Sequence, residues 1–585
     1  MPLLFALGIH DALGEVSTHL LPGEHLFAYL DDVYIIASPD RNRPLYNLLQ
    51  ECIRRRTGIE FNDGKTRIWN RAGIPPANIS DLGEDVWCQD GVNILGSPVG
   101  NDRFVAEQVE RRLRDERFLW ERIRLVPDIQ CAFQILAQSA GPRSNHLLRT
   151  VPPSQPRLYA GEHDAGMLGV LSDLLGCSIS DTDIAGQVAT LPARLGGLGL
   201  RSAKRTAVPA FWASWADALP MLSERVPALT ASLILELQKP ASPVPIVREL
   251  TTAASELSAS GFHCLPAWED LQNGARPESI GFVPEPGEWA HGWQYHASST
   301  CESFHRRRVV LPSCSPTEQA LLRSQSGPGS GSTILGCPTL PEFTFSQTHF
   351  RCILLSRLQL PLPLTEHRCE GCGGVLDPRG HHRAACVRSG RLKKRAIPLE
   401  RATARVCREA GTIVMEGVKL RDLNLAVPAG DEREIEVLAS GLPCRAGAQI
   451  AVGATIRSPL SSCGAPHARA AREDAVTADS ARQDKEATYP EFSARQRCVL
   501  VVLALEVGGR FSGEAYRFVE ELAFSKAQEA PPALRKSARL SWQRRWLRLL
   551  ACSAARALCD SVLLPAESLL PQIDCGPVPD WHEVA

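Results

Sequence analysis

Apolar positions recur along the chain with two different periods. LFAYL (Leu26–Leu30) and VYIIAS (Val33–Ser38) are two β-type runs around the polar pair Asp31-Asp32, which predicts a hairpin. RPLYNLLQECIRRR then places Leu45, Leu48, Leu49, Cys52 and Ile53 on one face. That is the period of an amphipathic helix, introduced by Ser38-Pro39-Asp40 and laid against the sheet. From Phe104 to Leu237 the pattern is largely helical, and VAEQVERRLRDERFLWERIRL turns Val109, Leu113, Trp120 and Ile123 inward. The opening MPLLFALGIHDALG reads as helix interior, because no basic residue precedes its apolar run and no small-residue cleavage site follows.

Periodicity fades over 251–340, where SQSGPGSGS (Ser324–Ser332) predicts a flexible linker and a domain boundary. From about 400 to 525 the pattern is mixed α/β, interrupted by a polar, Ala-rich insertion at Cys463–Lys485. A basic segment, Pro531–Leu550, carries Arg535, Lys536, Arg539, Arg544, Arg545 and Arg548, with Trp542 and Trp546 one turn apart. The two indoles suit either a buried stripe or stacking on bases. The longest apolar run, CVLVVLAL (Cys498–Leu505), is closed by Glu506, so a membrane span is excluded.

The chain has 585 residues, which calls for several domains. With 44% hydrophobic and 22% charged residues, wholesale disorder is excluded. A formal net charge of -1 means that affinity for nucleic acid must come from local patches. Nineteen scattered cysteines, an odd number, are too sparse for a disulfide scaffold and fit a reducing, intracellular setting, nuclear or cytoplasmic.

Two places carry chemistry in their spacing. Cys369-Glu-Gly-Cys372, followed by His381 and Cys386, offers three thiols and an imidazole, a set suited to tetrahedral, structural Zn²⁺ with no open position for water, the alternatives being a redox CxxC or unligated cysteines. His382 competes with His381 for the ligand role, and four intervening residues before Cys386 favour His381. The next segment, RLKKRAIPLERATARVCREA, sets seven basic residues against Glu400 and Glu409. Arg391, Lys393, Lys394 and Arg395 are its candidates for phosphate contact, the alternative being a solvated helix face. Asp31 and Asp32 are either an ordinary turn pair or ligands for a divalent cation.

In order and spacing, Tyr29-Leu-Asp31-Asp32, FNDGKTRIW with Lys65, and NILGSPVG (Asn93–Gly100) resemble the last palm motifs of reverse transcriptases of non-LTR (LINE-type) retrotransposons. LPARLGGLGLRSA followed by FWASWADALP resembles the stretch after the polymerase. The Cys/His cluster resembles the knuckle preceding a restriction-like endonuclease in such elements. The resemblance implies a multidomain α+β protein. Its parts would be a palm remnant (1–102), a helical thumb and connection (103–250), a linker, partly disordered (251–340), a zinc knuckle (341–398), a restriction-like α/β endonuclease domain (399–528) and basic C-terminal helices (529–585).

The resemblance further implies that Asp31 and Asp32 ligate Mg²⁺, that Lys65 lies near an incoming deoxynucleoside triphosphate, and that Gly96–Gly100 holds the primer end. Glu436 in REIEVLASGLP and Lys485 in KEATYPEF would serve the nuclease, with Tyr489 matching the aromatic after the lysine. RNA and DNA are the implied partners, with no membrane and no other small-molecule substrate. Two departures predict a catalytically incomplete chain. The sequence opens at MPLLFAL, which resembles the tail of the motif before the catalytic hairpin, so the upstream metal-binding aspartate is expected to be missing. Gly453 stands where the nuclease pattern has an aspartate, leaving Asp422 and Glu506 as the candidates to replace it.

Overall fold

The computed structural model describes residues 2–83, 85–283, 290–364, 368–423, 425–442, 447–492 and 498–563. The chain is mixed α+β and divides into two compact units, Met1–Arg112 and Leu113–Ala585. Among the described residues, no helix is long and apolar enough to cross a membrane.

In the first unit, helix α1 (Pro2–Ser17) and helix α2 (Asn42–Thr57) bury Ala12, Val16, Leu49, Cys52 and Ile53 against one another. Gly58 ends α2 in the left-handed conformation, φ 73, its N–H reaching the carbonyl of Arg54. Strands β1 (His25–Tyr29) and β2 (Asp32–Ile36) form an antiparallel hairpin in which Tyr29 pairs with Asp32. Its two-residue turn is Leu30-Asp31, with Leu30 at φ 56. Asp31 and Asp32 are both exposed. A second hairpin joins β3 (Gly91–Ile94) to β4 (Ser97–Gly100) through Leu95 and Gly96, at φ 50 and 80, the left-handed pair that a tight two-residue turn requires.

The second unit begins with α3 (Asp102–Arg124), in which the chain passes from one unit to the other. A helical region follows: α4 (Arg157–Leu175), α5 (Ala203–Arg225), α6 (Pro245–Ala259) and α7 (Trp293–His305). Phe211, Trp212, Leu250, Leu257, Phe262 and Trp293 share one core. The segment expected to be a linker is thus largely helical, apart from residues 284–289, which lie outside the described residues.

Ser324–Ser332 departs furthest from expectation. Ser324, Gln325, Ser326 and Ser330 are buried around turns at Gly327 (φ 107) and Gly329 (φ 74). The cause is Arg357, at the end of α8 (Gln347–Arg357) and itself buried. It donates to the carbonyls of Ala193, Gly197, Gln325, Ser330 and Gly508 at 2.8–3.2 Å. Small residues let the backbone approach the guanidinium closely, so glycine and serine here mark a crowded crossing and not a tether.

After a short helix α9 (His381–Ala385) and the long α10 (Arg391–Glu409) comes a four-stranded sheet of order β5-β6-β7-β8, formed by Ile413–Lys419, Glu434–Ser440, Gln449–Arg457 and Cys498–Glu506. The first two pairings are antiparallel and the last is parallel. Helix α11 (Val476–Thr488) occupies the crossover between β7 and β8. Ala478 and Ala481 of α11 pack with Leu438, Ala451 and Val502 on one face. On the other face Val437, Val452 and Val501 meet α10, α12 (Gly513–Ala527) and α13 (Arg535–Leu563). Burial on both faces explains the nearly continuous apolar run of β8. In α13, Trp542 and Trp546 are fully buried and Trp546 Nε1 donates to Glu409 Oε2 at 2.8 Å, so the indoles form the buried stripe. Residues 564–585, expected to be helical, lie outside the described residues.

Candidate functional site

Cys369, Cys372, His382 and Cys386 bring one ligand atom each within 4.8 Å of one another. Among the described residues this is the only group of three or more His, Cys, Asp or Glu side chains placed to share an ion. A tight turn supplies the first two thiols: Gly373, at φ 69, donates to the Cys369 carbonyl at 2.8 Å, and Cys369 N–H returns to Gly374 O at 2.9 Å. The second pair comes from α9, whose first N–H groups are capped by Asp377. Its carboxylate accepts from His381 N at 3.0 Å and His382 N at 2.7 Å.

The spacing of two thiols fits a tetrahedral ion. Cys369 and Cys386 Sγ are 3.9 Å apart, close to the roughly 3.8 Å edge expected for Zn–S bonds of about 2.3 Å. Cys372 Sγ and His382 Nε2 are 3.2 Å apart. The imidazole is held from behind. Its Nδ1 lies 2.8 Å from the Ser462 carbonyl, an acceptor only, so Nδ1 carries the proton and Nε2 presents its lone pair to the thiols. Burial pushes the Cys369 thiol up, but the backbone amides of Cys372 and Gly371 and the side chains of His382 and Cys372 outweigh it, bringing the thiol down to about 7. These four residues can bind a metal such as zinc.

His382, not His381, completes the set. The capped helix turns the two adjacent imidazoles apart, and His381 Nδ1 faces Asp377 Oδ1 at 3.6 Å.

The basic segment divides likewise. Arg391 and Arg395 are buried, Arg391 donating to the Ser561 carbonyl at 2.8 Å and Arg395 to the carbonyls of Ala384 and Ile456 at 2.8 and 3.1 Å. They are therefore packing residues and not exposed cations. Lys393 and Lys394 are exposed.

A second cluster forms on the α11 side of the sheet. Val437 pairs with Val452 in antiparallel register, so the next step sets Glu436 opposite Gly453. Lys485 reaches over this point from α11. A Cβ at residue 453 would lie 3.2 Å from Lys485 Cδ and Cε and 3.3 Å from Nζ. The ammonium ion-pairs with Glu436 Oε1 and sits 5.5 Å from the Tyr489 ring, whose hydroxyl donates to Glu434 O at 2.7 Å. Glu436 Oε2 is buried without a hydrogen-bond partner.

Glu400 of α10, in the sequence only an acid within the basic segment, belongs to the same neighbourhood. Burial pushes its carboxyl up to about 7, Glu436 and Glu434 add to the rise, and Lys485 and Lys393 oppose it. One signal was available: Glu400 is one of only two acids in the otherwise basic segment 391–410.

Neither proposed substitute for the missing acid is beside Gly453. Glu506 pairs with Arg457, four residues or about 13 Å along the strands, and accepts from Thr477 Oγ1. Asp422 is exposed in the turn beyond the edge strand β5.

In the first unit, Tyr34 links the two hairpins. Burial, with the charge of Asp32, raises its hydroxyl above the ordinary range, while a hydrogen bond with the Leu95 backbone opposes the shift. Lys65 is exposed in the turn Asp63–Lys65. Gly100 allows a close approach, since a Cβ there would lie 2.4 Å from Asp90 O.

No protein-family model and no curated protein matches the chain.

Proposed function

We propose that the chain derives from the reverse transcriptase and endonuclease polyprotein of a non-LTR retrotransposon and is catalytically incomplete in this form. The observation that carries the reading is the convergence of Glu436, Gly453 and Lys485 on two adjacent strands and the crossover helix. In a restriction-like nuclease, two carboxylates on neighbouring strands hold Mg²⁺ and a lysine steadies the attacking water or the phosphate. Here one of the two positions carries no side chain. The order helix, three strands, helix, strand from α10 to β8 is consistent with such a domain.

The hairpin bearing Asp31 and Asp32, with the glycine hairpin ending at Gly100, supports the palm part of the reading. In a complete relative these aspartates would hold Mg²⁺ for strand extension, with Lys65 near the triphosphate. The four Cys/His residues would hold structural Zn²⁺, which fixes α9 and the turn before it and supplies no open coordination position.

Gly453 favours a second reading, retention of zinc-dependent nucleic-acid binding without nuclease activity. Its contacts would come from exposed Lys393 and Lys394, since Arg391 and Arg395 are committed to carbonyls. The test uses the full, zinc-loaded chain with supercoiled plasmid and Mg²⁺, alongside filter binding of RNA and duplex DNA over a salt series. Salt-dependent binding without nicking supports the reading. Mg²⁺-dependent nicking abolished by Lys485→Ala overturns the catalytic part, and absence of binding at low salt overturns the binding part.

A further inference from the structure

Segments remote in sequence bring three guanidinium groups together in the second unit. Arg306 opens a π-helical turn (Arg306–Val310), Arg323 lies near the end of the helix Pro316–Ser324, and Arg510 follows β8. Arg306 and Arg510 both donate from Nη2 to one acceptor, Ser326 Oγ, at 3.1 and 3.0 Å. Arg510 Nε also donates to the Arg323 carbonyl at 2.9 Å, and Arg323 Nε to the Ala471 carbonyl at 3.1 Å. Asp474 is gripped at the rim by Arg323 at 2.9 Å and Arg510 at 3.1 Å, and its side chain is 45% exposed.

Arg306 is short of partners. It is 8% exposed, its Nε has no hydrogen-bond partner, and the bond to Ser326 is the one hydrogen bond of its side chain among the described residues. A guanidinium carries five N–H donors, and a buried Nε–H left unused is costly unless an anion completes the set. Burial lowers Arg306 below its ordinary range. Asp474 opposes this, whereas Arg323 and Arg510 add to it. Among the described residues the carboxylates facing the cluster are Asp474 and Glu506, and burial raises Glu506 above the ordinary carboxylate range. Three cations thus face at most two negative charges.

The donors suit a group with several oxygens. Gly327, at φ 107, brings the backbone close against Arg510, where a Cβ would lie 3.0 Å from Nη1, so a phosphate would take the place of the Asp474 carboxylate at the rim. Planar guanidinium forks match the oxygens of a phosphate, and a dianionic phosphate supplies more acceptors than one carboxylate. We propose that Arg306, Arg323 and Arg510 form a binding site for a dianionic phosphate, either free or at the end of a nucleic-acid strand. Asp474 is the internal carboxylate that the phosphate displaces. An internal phosphodiester, with a single charge and two substituents, suits this recessed place less well.

The test is calorimetric titration of the full, zinc-loaded chain with inorganic phosphate at fixed ionic strength. The same oligonucleotide, bearing a 5′-phosphate or a 5′-hydroxyl, is titrated in parallel. Saturable phosphate binding is expected, weakened at least tenfold in Arg306→Gln and tightened at least threefold in Asp474→Asn, which removes the competitor. Tighter binding of the 5′-phosphorylated strand, lost in Arg306→Gln, identifies a strand end as the source. Equal binding of the two strands with phosphate binding intact identifies free phosphate. Absence of phosphate binding in both the native chain and Asp474→Asn overturns the site, and so does an unchanged affinity in folded Arg306→Gln. Failure of the nucleic-acid reading would appear as no binding of either strand, which leaves the inorganic phosphate titration interpretable.

Discussion

His382 Nδ1 donates to the carbonyl of Ser462 at 2.8 Å, tying the Cys/His cluster to the loop that follows β7. The same loop accepts from Thr317 Oγ1 at Gly464 O, 3.1 Å away, and leads through Asp474 into α11. Metal held by His382 Nε2 would therefore fix an imidazole that braces a loop far from the cysteines in sequence. His382→Ala should abolish zinc retention, whereas His381→Ala should leave about one zinc per chain, measured by metal analysis after gel filtration. Chelation should lower the thermal midpoint and speed amide exchange at Pro459–Asp474. Zinc loss in His381→Ala with retention in His382→Ala would reverse the assignment.

Arg357 tests the segment whose composition resembles a tether. Five carbonyls converge on this buried guanidinium, and burial lowers it to about 10, still protonated at neutral pH. Arg357→Met keeps much of the volume but leaves those carbonyls without their donor. The expected cost is about 3–5 kcal/mol in urea unfolding, with new proteolytic cleavage near Gly327. A cost under about 1 kcal/mol would mean that Ser324–Ser332 is a tether after all.

Periodicity made the local elements legible. Leu45, Leu49, Cys52 and Ile53 are buried on α2, and Val109, Leu113, Trp120 and Ile123 on α3. Composition misled where a distant partner decided the outcome: Arg357 converts a Gly/Ser stretch into a buried crossing, and carbonyls from Ala384, Ile456 and Ser561 convert Arg391 and Arg395 into packing residues. The Cys spacing marked the metal cluster, but two adjacent histidines on one helical turn differ by about 100° in direction, which spacing alone does not resolve. Glu400 joins Glu436 and Lys485 only through helix packing on the sheet, so no linear motif contains it.

Gly453→Asp should create a cation site. The new carboxylate would face Glu436 across two paired strands beside the flexible end of Lys485, which can shift to make room. Mn²⁺ should raise the thermal midpoint of this variant by several degrees and leave the native chain unchanged, and adding Glu436→Gln should remove the effect. Equal Mn²⁺ stabilisation of native chain and variant would show that Gly453 is not the gap in the centre.

Glu400 supplies a pH signature. Its carboxyl stands at about 7 in the folded chain, against an ordinary value of 4.5, so between these limits the folded state holds a proton that the unfolded state has released. Stability from this group is therefore complete below about pH 4.5 and is lost as pH rises through 7. Glu400→Gln cannot ionise and should flatten that slope. Because the side chain is partly exposed, the expected gain over the native chain at pH 8 is only on the order of 1–2 kcal/mol, with little difference at pH 5, as read from urea unfolding at both values. A native chain that gains stability relative to Glu400→Gln between pH 5 and 8 would show that Lys485 and Lys393 outweigh burial, and that Glu400 is an ordinary ion-pairing carboxylate.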